Sequence, residues 1–153
     1  MSDILSARPF SAAFVIFRRK DGKVAFLLRE NTSWMNDHYG LPAGKVDEGE
    51  SISAAAIREA KEEVGVDIKP EHLKHVLTVY RTSTNGSKDD PWLDVLFEAM
   101  QWEGELFNAE PHVHGELAWF DPYDLPSNHT PFLPFFFEQI KSGNTYAEYG
   151  WED

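Results

Sequence analysis

Apolar runs and polar breaks divide the chain into segments of two periods. Ser11 to Arg19 holds the run Ala12-Ala13-Phe14-Val15-Ile16-Phe17, rich in β-formers and unbroken by charge, which predicts a buried strand. Lys20-Asp21-Gly22-Lys23 carries the Asp-Gly hairpin signal, and Val24-Ala25-Phe26-Leu27-Leu28 predicts the returning strand. Further on, Leu73 to Arg81, Trp92 to Met100 and the shorter Glu116 to Phe120 have strand character, with a polar loop from Ser83 to Pro91. Two segments follow the helical period instead. One lies between Ser51 and Gly65; the other runs from Thr130 to Lys141, with Pro131 near its first position and Gly143 just past its end. Many strands with two widely separated helices predict an α/β fold, a mixed sheet held between helices. No linker is long enough to part the chain, so one domain over residues 1–153 is expected.

The first helix is the better specified. Ser51 suits the N-cap, Ser53-Ala54-Ala55-Ala56-Ile57 is helix-favouring with small side chains, and Gly65 suits a left-handed C-cap. Val66-Asp67-Ile68 then alternates as an extended exit. Upstream, Tyr39-Gly40-Leu41-Pro42-Ala43-Gly44-Lys45-Val46 is a poor helix and a fair strand–loop. A helix turns once every ~3.6 residues, so Glu59 and Glu63 share one face, with Glu62 beside them. Three adjacent carboxylates repel one another, and Arg58 neutralises only part of their charge. A hard divalent cation with oxygen ligands accounts for such a grouping.

Charge and composition narrow the partners. With 14 basic and 26 acidic residues the formal charge is −12, which disfavours nonspecific binding to a nucleic-acid polymer. A phosphorylated metabolite is still admitted if metal ions bridge it to the acidic protein. The absence of cysteine removes disulfides, thiol nucleophiles and thiolate zinc sites together. His112 and His114 have no third ligand at a zinc-like spacing, so they are expected in a solvated loop. Met1 to Ala7 shows no basic region followed by an apolar run, and no apolar stretch is long enough to cross a bilayer; a cytoplasmic protein without membrane contact is expected.

Gly44, Glu50, Arg58, Glu59, Glu62, Glu63 and Gly65 stand in a fixed arrangement: Gly, five residues, Glu, seven residues, then Arg-Glu-Ala-Lys-Glu-Glu-Val-Gly-Val. This resembles the signature of the Nudix hydrolase family, in its MutT-like form. One loose position departs, Ala60 standing where a larger aliphatic is usual. The signature covers 23 residues, so it speaks to chemistry more than to substrate.

The resemblance implies an α/β/α sandwich with a mixed, curved β-sheet, and hydrolysis of a nucleoside diphosphate linked to another group. It implies Mg²⁺, with Mn²⁺ as a substitute. Carried over residue by residue, Glu59, Glu62 and Glu63 are the metal ligands, the Gly44 carbonyl also reaches the metal, and Arg58 holds a glutamate in place. Glu50 fixes the loop-to-helix geometry. A later acidic residue often completes such a site; Glu110 and Glu116 are the candidates, with Glu116 at the start of a short strand. Relatives that read an oxidised purine use polar residues just before the last helix. Here Asn128 and His129 stand in place of that branch's acidic pair, against oxidised-purine specificity. Trp34, Tyr39 and Phe132 are candidates for stacking a base, and Tyr146 to Trp151 is expected to pack back on the domain or to join two copies. The expected partner is a nucleotide-like small molecule, and the assembly a monomer or homodimer. Three readings stay open: conversion of a nucleoside triphosphate to monophosphate and pyrophosphate; cleavage of ADP-ribose, a dinucleoside polyphosphate or a sugar nucleotide; and a nucleotide-binding module without turnover.

Overall fold

A computed structural model describes residues 5–152. Residues 1–4, part of the segment read for a signal, and Asp153 lie outside the described residues. The elements follow in the order β1 (Phe10–Ile16), β2 (Val24–Arg29), β3 (Tyr39–Gly40), β4 (Ala43–Lys45), α1 (Ile52–Val64), β5 (Leu73–Arg81), β6 (Trp92–Ala99), β7 (His114–Phe120), α2 (Leu133–Lys141) and β8 (Tyr146–Tyr149). They form a five-stranded sheet, β4-β1-β6-β5-β8, and a three-stranded sheet, β3-β2-β7. The larger is mixed: β1 runs parallel to β6 and antiparallel to β4. The β1–β2 turn joins the two sheets, through the Ala25 amide donating to the Phe17 carbonyl and a bridge between Arg18 and Val24.

Strand alternation sorts side chains into two cores. Phe14, Ile16, Val24 and Phe26 pack with Leu133, Phe136 and Phe137 of α2. Their neighbours Ala13, Val15, Ala25 and Leu27 pack with Ala55, Ala56, Ala60 and Val64 of α1. A period of two thus gives each strand one face per helix, which is the helix–sheet–helix layering expected. The small residues of α1, Ala60 among them with no exposed surface, let that helix lie close on β1.

Two sequence boundaries shift. The second helix begins at Leu133 rather than Thr130, because the Thr130 amide donates to the Tyr39 carbonyl and Pro131 has no amide to give. The proline in its first turn is Pro134. The C-terminal aromatics pack back on the domain as an added strand: β8 pairs parallel with β5, and Trp151 stacks on Tyr80 while donating to its carbonyl. Among the described residues, no helix is long and apolar enough to cross a membrane.

Candidate active site

Helix α1 begins and ends as its caps dictate. The Ser51 hydroxyl accepts from the Ala54 amide, and Gly65 takes φ +73° at the C-cap, its amide donating to the Lys61 carbonyl. These caps fix the rotation that turns Glu59 and Glu63 toward β4. Glu63 is buried, and its carboxylate accepts from the Ala43 amide at 2.8 Å. The Glu59 carboxylate lies across Gly44, occupying the space that a β-carbon there would need. Gly44 therefore has no side chain because a carboxylate sits in its place.

Arg58 organises the outer side. Its guanidinium donates to Glu50 at 2.7 and 2.9 Å, to Glu59 at 2.8 Å, to Glu62 at 3.2 Å and to the Lys45 carbonyl at 3.1 Å. Glu50 also accepts from the Asp47 amide, which ties the loop to the helix. Hydrogen bonding to Arg58 holds Glu50 down at about 2 and raises Arg58. Glu59 moves the other way: burial lifts it to about 7, against the pull of Arg58. Burial also drives Glu63 well above the usual carboxylate range, and the charge of Glu59 adds to the shift. Glu110 is raised by burial and by Glu62. Four carboxylates thus share one field with a single guanidinium among them, a net negative charge that added cations would relieve.

Among the described residues, no three carboxylate or imidazole groups converge on one point as a finished cage. The donors nevertheless suit a hard cation: they are oxygens alone, two of them belong to carboxylates that burial makes costly to ionise, and a glycine lies against one. Glu59, Glu62 and Glu63 are the residues that would hold it.

A cleft of about 550 Å³ runs from Gly44, Glu63 and Glu110 to Trp34, Thr130 and Phe132. Trp34 and Phe132 lie nearly parallel at its far end, ring centroids 6.1 Å apart and 11° between planes. Arg29 stands along the wall, over the Trp34 ring at 5.0 Å, with its Nε donating to the Trp34 carbonyl. Burial lowers its pKa and Glu63 opposes the shift, yet no carboxylate among the described residues lies in ion-pair range of it. Its partner across the β2–β7 ladder is His114. Two buried polar atoms facing this region, His114 Nδ1 and Thr130 Oγ1, have no hydrogen-bond partner.

Several expected residues take other places. Tyr39 is buried against Phe120, and its hydroxyl donates to Glu116, which lifts the phenol to about 12 together with the larger effect of burial. Neither Tyr39 nor Glu116 lines the cleft, whereas Glu110 does. The Asn128 amide donates to the Asp37 carbonyl, and His129 Nδ1 lies on the Thr130 carbonyl; the cleft wall is built by Thr130 instead. His112 is exposed as expected, but His114 begins β7 and is buried, because β-pairing with Arg29 turns it inward. Arg29 and Thr130 went unnoticed in the sequence. Arg29 ends an apolar strand with no acid nearby at strand spacing, a weak signal that was available; Thr130 offered none.

The NUDIX domain family model matches residues 8–140. A Caenorhabditis elegans protein named bis(5'-nucleosyl)-tetraphosphatase (asymmetrical) is 45% identical over 125 residues, 74% of this chain and 80% of that one. A putative 8-oxo-dGTP diphosphatase 3 of Mycobacterium tuberculosis is 32% identical over 76% of this chain. The chain spans only 56% to 62% of the length of longer curated relatives such as this one. Among solved structures, a MutT NUDIX hydrolase from Burkholderia pseudomallei superposes with a TM-score of 0.74 at 28% identity, covering 87% of this chain and 98% of that one. A match over most of the chain, on the fold and signature described above, places it: this protein belongs to the Nudix family.

Proposed function

We propose that the protein is a pyrophosphohydrolase acting on a nucleoside diphosphate linked to another group, with a nucleoside triphosphate as the leading substrate, converted to monophosphate and pyrophosphate. The observation that carries this reading is the layout of one cleft: a carboxylate cluster at one end, parallel aromatic plates at the other, and an arginine without a carboxylate between them. A bound Mg²⁺ or Mn²⁺ would supply charge neutralisation at the diphosphate oxygens and a more acidic water. The protein's part is placement. Glu59, Glu62 and Glu63 hold the cation, and Arg58 sets Glu59 and Glu62 in position. Arg29 donates to a phosphate oxygen, a role for which its fork of N–H groups is suited. Trp34 and Phe132 grip the base, and Thr130 Oγ1 and His114 Nδ1 find in the substrate the partners they lack in the protein. Glu110, on a separate segment, accepts the proton of the attacking water as the P–O bond of the anhydride breaks and pyrophosphate departs.

A second reading has its own support. The 45% identity to the C. elegans protein favours a dinucleoside polyphosphate as substrate. Turnover across a panel of nucleoside triphosphates, ADP-ribose and dinucleoside polyphosphates, with Mg²⁺ and then with chelator, separates the two. Monophosphate plus pyrophosphate from one triphosphate supports the first; cleavage of dinucleoside polyphosphates alone supports the second. Nucleotide binding without metal-dependent cleavage of any of them would contradict both.

A further inference from the structure

We propose that Phe107 is a positioning residue, which latches the strap 103–110 onto the end of α1 and thereby sets Glu110 beside the helix carboxylates. The inference rests on the functional reading above for the role of Glu110. Its basis is the way the strap is fastened. At its start, Asp67 and Glu103 exchange two backbone hydrogen bonds, at 3.1 and 2.9 Å, and Leu106 packs into the α1-side core. In its middle, the Phe107 amide donates to the Val64 carbonyl at 3.1 Å, and the Phe107 ring lies across Gly65, in the space a β-carbon there would fill. Two residues on, the Ala109 amide donates at 3.0 Å to the carbonyl of Glu63, itself a candidate metal ligand. Glu110 follows directly, and its carboxylate shares the field of Glu59, Glu62 and Glu63.

Three consequences follow from this arrangement. The last carbonyls of α1, which a helix leaves without internal partners, are satisfied by the strap rather than by water. Gly65 is required twice, once for its positive φ and once because the Phe107 ring occupies its outer face. Phe107 also leaves 57% of its surface exposed, so it contributes little to the core and its position needs a reason beyond burial. A bare strap would hold Glu110 by two amide bonds at a fraying helix end; the ring over Gly65 adds a contact that resists peeling.

The experiment is a set of variants, Phe107→Ala, Phe107→Leu, Glu110→Gln and the Phe107→Ala/Glu110→Gln pair, assayed for turnover and by amide hydrogen exchange in the metal-free protein. Groups that orient a functional side chain are worth about tenfold in activity, so Phe107→Ala is expected to lower kcat by about tenfold and leave KM within about twofold. Exchange at Ala109 should quicken while that of the mid-helix amides of α1 stays as it was, and Phe107→Leu should restore most of kcat. The double variant is expected to be no slower than Glu110→Gln alone, because residues acting as one unit are not additive. Multiplied losses in the double variant, or unchanged kcat and Ala109 exchange in Phe107→Ala, would overturn the proposal. So would a loss of α1 protection throughout, since the ring would then serve the fold rather than Glu110. Absence of metal-dependent turnover in the parent protein would instead overturn the functional reading, while the exchange result still judged the latch.

Discussion

At the scale of single residues, the site is a contest between burial and ionisation. Glu63 is buried with one amide as its hydrogen-bond donor, and Glu59 lies against a glycine backbone with its charge only partly answered by Arg58. The sequence showed these carboxylates because helical spacing alone puts them on one face. It hid what decides the rest of the cleft. Thr130 and His114 matter through atoms left without partners, and partners belong to the fold rather than to spacing. Tyr39 misled for the same reason: its ring is spent on Phe120 and its hydroxyl on Glu116. Stacking of a base on an aromatic side chain is worth about 1–3 kcal/mol. Trp34→Ala is therefore expected to raise KM by about tenfold, or more, with kcat changed far less; steady-state kinetics on the best substrate checks this, and an unchanged KM would remove Trp34 from the base site.

At the scale of elements, α1 was legible nearly to the residue, since Ser51 and Gly65 announce both ends and both caps form. The second helix was not, because its start depends on a bridge between Tyr39 and His129, far apart in sequence. The strand β8 was legible only as an aromatic segment seeking cover; its pairing partner β5 is 65 residues or more away, and local pattern carries no such information. Loss of an N-cap costs about 1 kcal/mol, so Ser51→Ala should lower unfolding stability by about that much in urea. Gly65→Ala should cost more than Ser51→Ala, since it meets both a left-handed backbone and the Phe107 ring. The reverse order would show that the ring yields freely.

At the scale of the whole molecule, a chain of net charge −12 gathers its acids around one cleft and relies on cations to admit a polyphosphate. Ligands that bind only the folded state raise its stability, so Mg²⁺ should raise the melting temperature and chelator should reverse the gain. Acid stability follows from His114. Burial first, then the charge of Arg29, depress it to about 4 from its ordinary 6.5. Between those values the unfolded chain takes up a proton that the folded one refuses. This group therefore costs stability as pH falls from 6.5 toward 4, and nothing further below. His114→Gln should flatten unfolding free energy over that window; an unchanged slope would place the acid sensitivity elsewhere. The most direct test of the central claim is turnover by Glu63→Gln beside the parent protein, in Mg²⁺, with far-UV spectra to confirm the fold. The amide keeps an oxygen for the Ala43 amide and removes only the charge. The expected result is an intact fold with activity reduced by about a hundredfold or more; near-full turnover in the folded variant would contradict the account.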